Sequence, residues 1–500
     1  MLEPILKNEG VNASEKQLSK LLNTTFLSLW SYIGPYSDEG AAKNKQGKEM
    51  CDALVVFGNK VIIFSDKEIK FNEEKSLEVA WKRWYTKSIT DSVRQLHAAE
   101  SWVKNNPHRI FLDNFCTIPF PIDLNNKNLE IHLVALTKNT LVPAQKYFDT
   151  YQKGSSGTFI HFYPLEESEC LKKPFILCDV NKSKTFVHIF DEFSIDLVIN
   201  ELGTISDFLN YLKTKENLIR KYNLLNVLGE EDLLGYYLDN EKFSYGVNTF
   251  EYPKEDNQLL VISEGYWNSY KKFDYKTHQS IKGMGAYWNK LVANISDGII
   301  TAKVGEGKDS PFFMHERAAR ALATENRSSR AYLSQAFLDK IQNVPNNRRS
   351  SRILQSPINK SKFYILVILP FLESENLEDY SQKRPVVAWQ YSLALKYRQS
   401  KAKEIVVIIM QPKESEIQSE AIFTYDYPKP LDYKNKILAK KIIKDHSILS
   451  EFTDYSDSSK DHNAKLKVKW GRNDKCHCGS ALKYKKCCLY KDELTHSRYT

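Results

Sequence analysis

Four cysteines near the end of the sequence have the spacing of a metal site. Cys476 and Cys478 are one residue apart, and Cys487 and Cys488 follow after eight more residues. Four thiolates satisfy the tetrahedral coordination of Zn²⁺, and a segment this short needs the metal in order to fold. His477 could replace one thiolate, although its place between two ligands favours an outward-pointing side chain. Because the four thiolates leave no obvious open coordination position on the ion, we predict that this zinc site is structural.

The residues around these cysteines resemble a known zinc-binding module. Residues 471–488, GRNDKCHCGSALKYKKCC, are similar to the SEC-C module at the C-terminus of the bacterial preprotein translocase motor. In that protein the module docks a chaperone and contacts ribosomes or lipid, and the same module is fused to many unrelated bacterial proteins. The resemblance implies that a protein partner docks here. A translocase motor is excluded because the sequence lacks the Gly-x-x-x-x-Gly-Lys-Ser/Thr phosphate loop.

A second group of polar residues surrounds a predicted β-hairpin. Apolar runs at 51–57 and 60–64 flank Gly58-Asn59, which is a strong hairpin signal. Hydrolysis of a phosphodiester by a divalent metal needs carboxylates that hold the ion and often a lysine that orients or deprotonates water. The residues of these types at the hairpin, with a glutamine on the next predicted helix, are Glu49, Asp52, Asp66, Lys67 and Gln95.

Residues 15–135 resemble the PD-(D/E)XK nucleases, most nearly their NERD-like branch. The resemblance implies a restriction-endonuclease-like mixed sheet flanked by helices and a site for Mg²⁺ or Mn²⁺. Asp52 and Asp66 would hold the metal, and Lys67 would position the attacking water. Glu49 and Gln95 would support them. Genome defence is one role that such an enzyme could have.

The predicted register complicates this site. Counting outward from the turn pairs Asp52 with Ser65, so alternation puts Asp52, Ser65 and Lys67 on one face and Asp66 on the other. Ser65 therefore occupies the position where the nuclease pattern has a carboxylate. A bulge could rotate Asp66 into the site, the carboxylate could have moved, or the site could be inactive. The charges could also simply mark strand ends that meet solvent.

Residues 317–352 are strongly basic. Eight basic side chains face two acidic ones there, a net charge of +6. Such a segment could neutralise nucleic-acid phosphates, or it could be a solvated or partner-binding surface. Its arginines are Arg317, Arg320, Arg327, Arg330, Arg348, Arg349 and Arg352.

The elements that must position these residues alternate between helix and strand. Helical periodicity is found at 17–33, 75–86, 88–104, 203–240 and 434–446, and strands are expected at 109–112, 129–136, 158–163, 174–180 and 185–190. A strand, helix and strand are expected at 363–370, 385–398 and 404–410. We predict an α/β protein whose parts are a nuclease-like domain with a helical extension at 1–240, a second α/β domain of unknown family at 250–450, a linker at 451–467 and the zinc module at 468–490.

Composition limits the functional classes. The 500 residues are 42% hydrophobic and 27% charged, with a net charge of +9, as in an ordinary globular protein with room for a polyanionic partner. No apolar run is long enough to span a membrane, and the N-terminus does not have the pattern of a secretory signal. We therefore expect a cytoplasmic, bacterial protein. Three hypotheses follow: a metal-dependent nuclease, an inactive nuclease-fold scaffold recruited through the zinc module, and a nucleic-acid binder that uses the arginine segment. The sequence does not indicate an oligomeric state.

Overall fold

The structure is a computed structural model of the chain. It describes residues 2–41, 45–126, 128–222, 225–239, 250, 260–304, 310–344, 347–372, 375–415, 419–449 and 482–486. The chain divides into two compact units, Met1–Ala439 and Lys440–Thr500, and each is considered by itself.

The first half of the larger unit alternates helices with strands. Its helices are α1 (Ala13–Trp30), α2 (Leu77–Tyr85), α3 (Asp91–Asn105), α4 (Leu141–Phe148), α5 (Glu167–Cys170), α6 (Glu192–Leu202), α7 (Ile205–Tyr222) and α8 (Glu230–Asp239). Its strands are β1 (Ser31–Ile33), β2 (Tyr36–Ser37), β3 (Lys48–Glu49), β4 (Ala53–Phe57), β5 (Lys60–Lys67), β6 (Ile110–Phe111), β7 (Glu130–Thr137), β8 (Ile160–Phe162), β9 (Ile176–Leu177), β10 (Val187–Asp191) and β11 (Leu225–Val227).

The second half begins with a strand and a helical region and continues into another sheet. Its strands are β12 (Leu260–Ile262), β13 (Ser350–Gln355), β14 (Lys362–Ile368), β15 (Glu404–Met410) and β16 (Glu420–Asp426). The helices are α9 (Tyr266–Phe273), α10 (Tyr275–Met284), α11 (Ala286–Ile300), α12 (Phe312–Ala323), α13 (Arg327–Gln342), α14 (Leu377–Arg398) and α15 (Tyr433–His446). Several sheets flanked by helices confirm the α/β class.

The central sheet contains the predicted hairpin. Its strand order is β1-β4-β5-β7-β10, in which β1, β4 and β5 are antiparallel neighbours and β5, β7 and β10 are parallel. Phe57 pairs with Lys60 across the turn, which confirms the predicted register. Gly58 has φ +65°, a conformation that favours glycine in a tight turn. The parallel strands are apolar along most of their length because helices cover both faces.

Helices on both faces of this sheet fix the direction of the side chains. On one face, the rings of Phe26 in α1 and Phe64 in β5 lie 6.2 Å apart, and Phe26 also contacts Phe208 of α7 at 5.3 Å. On the other face, the hydroxyl of Ser65 donates to the hydroxyl of Ser92 in α3 at 3.2 Å. Successive residues of β5 therefore face different helices.

Most predicted elements are present, and one was incompletely predicted. The predicted helix at 203–240 is divided into α7 and α8 by the short strand β11, which pairs with β8 and β12. Pairing on both sides satisfies the backbone of this apolar segment, which outweighs its local helical periodicity. The predicted strand–helix–strand unit is confirmed by β14, α14 and β15, because β14 and β15 are parallel neighbours.

The regions on either side of residue 240 share contacts within the larger unit. The indole N–H of Trp30 in α1 donates to Glu316 in α12 at 2.8 Å, and the hydroxyl of Ser206 in α7 donates to the carbonyl of Thr324 at 2.8 Å. The predicted boundary near residue 240, the linker at 451–467 and most of the zinc module lie outside the described residues. Within the module, Tyr484–Lys486 forms one 3₁₀ turn.

Candidate functional site

Asp52 lies immediately before β4 and is anchored to the neighbouring strand. Its Oδ2 accepts the backbone N–H of Asp66 at 2.7 Å. Burial raises the pKa of Asp52, and the negative charge of Asp66 raises it further. The hydrogen bond from the Asp66 N–H and the positive charge of Lys67 act in the opposite direction. Asp52 is therefore a half-buried carboxylate whose charge is incompletely compensated.

Glu49 and Lys67 complete a small charged cluster with Asp52. Glu49 ends β3, where it pairs with Tyr36 of β2. Burial raises the pKa of Glu49, and so does the negative charge of Asp52, while Lys67 lowers it. The two carboxylates are thus close enough to repel each other, with one ammonium group beside them. This combination of groups can hold a divalent cation and orient a water molecule.

Ser65 and Gln95 adjoin this cluster. Ser65 is fully buried in β5, and its hydroxyl lies 3.4 Å from Oε1 of Gln95 in α3. The register that pairs Ala53 with Phe64 puts Ser65 next to Asp52, as predicted. The structure therefore brings Gln95 towards the position where the nuclease pattern has a carboxylate, and that position holds a hydroxyl.

Asp66 belongs to a different group of residues. Its Oδ2 accepts hydrogen bonds from Ser14 in α1 at 2.7 Å and from Nζ of Lys138 at 3.0 Å, and its side chain is 5% exposed. Lys138 also donates to Ser14 at 2.5 Å. β5 pairs with β7 without interruption through Lys67 and Thr137, so no bulge rotates Asp66 towards Asp52. Alternation along the strand sends the Asp66 side chain to the opposite face.

Sequence reasoning did not identify Lys138 as the partner of Asp66. Lys138 follows directly after the apolar strand β7, which pairs in parallel with β5. A lysine at the end of a buried strand is a weak signal by itself, because strand ends commonly meet solvent. Only the parallel register shows that this lysine reaches an acid 72 residues earlier in the chain.

The arginine segment does not form a continuous basic surface. Arg327 and Arg330 are buried, which corrects the expectation that they face a polyanion. The guanidinium of Arg330 donates to the carbonyls of Glu325 and Ala323, both at 2.8 Å, and burial lowers its pKa to about 10. These bonds place Arg330 at the C-terminal end of α12, where unpaired carbonyls need donors.

Most other arginines of the segment have acidic partners. Arg317 pairs with Asp426, Arg320 with Glu316 at 2.9 Å and Arg352 with Asp339 at 2.6 Å. Arg348 and Arg349 are exposed. Asp426 and Glu316 lie outside the counted segment and offset two of its charges, whereas Asp339 is already included in the net charge of +6.

A family comparison matches the end of the chain. A SEC-C motif is found at residues 472–489. The four cysteines Cys476, Cys478, Cys487 and Cys488 fall within these residues and outside the described part of the structure. SEC-C motifs are generally zinc-binding, and four thiols are a donor set that fits structural zinc. No curated protein and no solved structure matches the chain.

Among the residues that the structure describes, no helix is both long enough and apolar enough to cross a bilayer.

The Asp66–Lys138 pair yields a prediction about stability. Replacing Lys138 with Met leaves the 5%-exposed carboxylate of Asp66 without its counter-charge. We expect this change to destabilise the protein by about 3–5 kcal/mol, because an uncompensated buried charge is costly. Thermal unfolding of the full chain measures the effect.

Lys146→Met is the matched control. Lys146 pairs with Glu73 at 2.7 Å, but both side chains are more than half exposed. We expect a change of at most about 1 kcal/mol, as for other solvent-exposed pairs. An equal effect of the two substitutions would contradict the structural role assigned to Lys138.

The raised pKa of Asp52 yields a prediction about pH. A carboxyl whose folded-state pKa lies above its unfolded value destabilises the fold while it is ionised. Asp52→Asn removes that charge and can keep the acceptor for the Asp66 N–H. We expect the variant to have a higher melting temperature than the unsubstituted protein at about pH 7, with the difference vanishing at about pH 4.

Asp113→Asn should give the opposite pH dependence. Slight burial opposes the shift, but hydrogen bonds from Ile118 and Thr117 to the Asp113 carboxylate lower its pKa. A lowered folded-state pKa contributes stability above the unfolded value, and this is lost as the pH falls through the folded value. The variant should therefore melt at a lower temperature near neutrality and lose that deficit in acid. The same sign for both variants would contradict the assignment.

Proposed function

We propose that the N-terminal half of this chain hydrolyses nucleic-acid phosphodiester bonds with a divalent metal ion. The proposal is supported by the mutual electrostatic influence of Glu49, Asp52 and Lys67. The pKa of each carboxyl is raised, first by burial and then by a neighbouring acid, while Lys67 lowers both. Two carboxylates with incompletely compensated charge, beside an ammonium group, favour the binding of a cation.

The residues fit Mg²⁺ or Mn²⁺ in number and in chemistry. Mg²⁺ usually keeps several waters and binds proteins through one or two carboxylates, and Glu49 and Asp52 supply two. When bound, the ion would supply Lewis-acid stabilisation of charge on a phosphodiester. Lys67 would hold the attacking water or a phosphate oxygen. The hydrogen bond from the Asp66 N–H to Asp52 fixes the orientation of that carboxylate.

This proposal modifies the nuclease pattern at two positions. Glu49 would be the second carboxylate that binds the metal, because Asp66 forms an ion pair with Lys138 on the other face of the sheet. Ser65 and Gln95 stand where the pattern would place further metal-binding groups, and they would position waters around the ion. The change corresponds to a carboxylate that has moved, one of the three alternatives that the sequence left open.

The rival proposal is a scaffold with a nuclease-like site that has lost activity. It is supported by the hydroxyl of Ser65 in the acidic position and by the ion pair that occupies Asp66. Nucleic-acid binding through the arginine segment has less support, because two of its arginines are buried and three have acidic partners.

Cleavage assays test the enzyme directly. The full chain is incubated with single- and double-stranded DNA and RNA in Mg²⁺, Mn²⁺ or EDTA. We expect metal-dependent cleavage, with Asp52→Asn and Lys67→Met each lowering the rate by about 100-fold or more, as for groups that act on the reacting centre. Glu49→Gln should lower the rate and weaken metal binding.

Two controls separate the enzyme from the scaffold. Glu39→Gln removes an exposed acid that pairs with Lys48, and it should leave the rate unchanged. Asp66→Asn should affect stability more than the rate per folded molecule. Absence of cleavage by folded, metal-loaded protein on all four substrates would reject the enzyme and leave the scaffold.

We further propose that the C-terminal SEC-C motif binds structural zinc and docks a protein partner. The proposal is supported by the matched residues 472–489 and by the four cysteines within them. Zinc-bound thiolates would supply the folding free energy that so short a segment lacks. Docking is what the resemblance implies for this module.

Metal analysis tests the zinc ligands. The full chain carrying Cys487→Ser and Cys488→Ser should contain one equivalent of zinc less than the unsubstituted chain, because two of four thiolates are removed. Cys116→Ser, which alters a half-buried thiol elsewhere, is the control and should keep the full zinc content. Equal zinc contents in all three proteins would contradict the assignment.

A further inference from the structure

Two buried histidines and a glutamate meet on the face of the central sheet opposite to Asp52. His132 lies in β7, His188 in β10 and Glu216 in α7. Each offers one ligand atom, and these atoms all lie within 4.8 Å of one another. His188 pairs with Val134, two residues beyond His132, so the two imidazoles share a face of the sheet. The cluster therefore joins two neighbouring strands to a helix.

Three of the four imidazole nitrogens of this cluster lack partners. His132 is 3% exposed and His188 is 0% exposed. Both ring nitrogens of His188 and Nδ1 of His132 have no hydrogen-bond partner among the described residues. Buried polar groups are almost always satisfied, so three unpaired nitrogens at one place require an explanation. A ligand that accepts an electron pair from nitrogen would account for two of the three, namely one nitrogen of each imidazole.

The charges around the cluster favour a neutral His188. Burial lowers its pKa well below the ordinary value, and the positive charge of Lys215 and the nearby His132 lower it further. Lys215 is itself neutralised by Glu230 at 2.6 Å. A neutral imidazole keeps the lone pair that a metal ion needs. Burial also raises the pKa of Glu216, so a cation would compensate a carboxylate that the interior disfavours.

An outer carboxylate orients one of the imidazoles. Oε1 of Glu130 lies 3.3 Å from Nε2 of His132 and 3.2 Å from Nζ of Lys213. The hydrogen bond with His132 is the main cause that lowers the pKa of Glu130 to about 2, so this carboxylate is ionised. If Nε2 donates to Glu130, Nδ1 of His132 carries the lone pair. Carboxylate–histidine–metal arrangements of this kind are usual in metal sites.

We propose that His132, His188 and Glu216 bind one first-row divalent transition-metal ion, with zinc as the best fit. Two imidazoles and a carboxylate suit Zn²⁺, and three protein ligands leave a position for water. Tetrahedral ligands at about 2.0–2.1 Å from zinc lie about 3.3 Å apart, so the site must contract slightly on binding. The ion would join β7 and β10 to α7 independently of the phosphodiesterase site.

Cobalt titration of the full chain tests this site. The background carries Cys487→Ser and Cys488→Ser, which remove two thiolates of the C-terminal motif, and excess Mg²⁺ occupies sites built only from oxygen ligands. We expect one equivalent of Co²⁺ to bind, with visible d–d absorption and no thiolate-to-cobalt charge-transfer band. Zn²⁺ should displace it and raise the melting temperature of this protein.

Graded variants assign the ligands. His188→Gln and Glu216→Gln should each weaken Co²⁺ binding by more than about 100-fold, and Glu130→Gln, which alters only the orienting group, by about 10–100-fold. His108→Gln, at an exposed histidine, is the control and should bind as the background does. Glu216 and Glu130 are only half-buried, so we expect their variants to fold. These two variants therefore still test the site if His188→Gln does not fold.

Two outcomes would overturn the proposal. The first is a folded background protein that binds no Co²⁺ or Zn²⁺. The second is unchanged affinity in folded Glu216→Gln and Glu130→Gln. Neither outcome concerns cleavage of nucleic acid, so this inference and the proposed phosphodiesterase can fail separately.

Discussion

The side chains of β5 alternate between two faces of a sheet that helices cover on both sides, and this alternation decides which charged groups meet. Ser65 and Lys67 turn towards the α3 side, where Asp52 and Gln95 lie. Asp66 turns towards α1 and pairs with Lys138. A shift of one residue would exchange the two faces and send Ser65 towards α1 and Asp66 towards α3, so the register of the strand decides where these polar groups lie.

Several buried charges among the described residues of the larger unit are paired with an opposite charge. Asp66 has Lys138, and Lys215 has Glu230. Asp52, which is half-buried, and Glu49, which is exposed, are compensated only in part, because one lysine serves two acids. The imidazoles of His132 and His188 have even fewer partners. Incomplete compensation is expensive in a protein interior, and a bound cation is the simplest way to remove that cost.

Two metal sites of different chemistry would then lie on opposite faces of one sheet. The cluster of Glu49, Asp52 and Lys67 offers oxygen ligands, which suit Mg²⁺ or Mn²⁺. His132 and His188 offer nitrogen, which suits zinc. This difference in ligand type would let the two proposed sites select different ions in the same solution. It also explains why a nuclease pattern read along one hairpin reveals only the first of them.

The sequence by itself determined the α/β class, the hairpin with its register and the conflict at Ser65, because strand periodicity and turn chemistry are local. It also determined the SEC-C motif, whose cysteines lie within thirteen residues. Only the tertiary structure decided the partner of Asp66, the burial of Arg327 and Arg330, and the meeting of His132 with His188 and Glu216. Those contacts join residues far apart in the chain through parallel strands and helix packing, whose register no local pattern encodes.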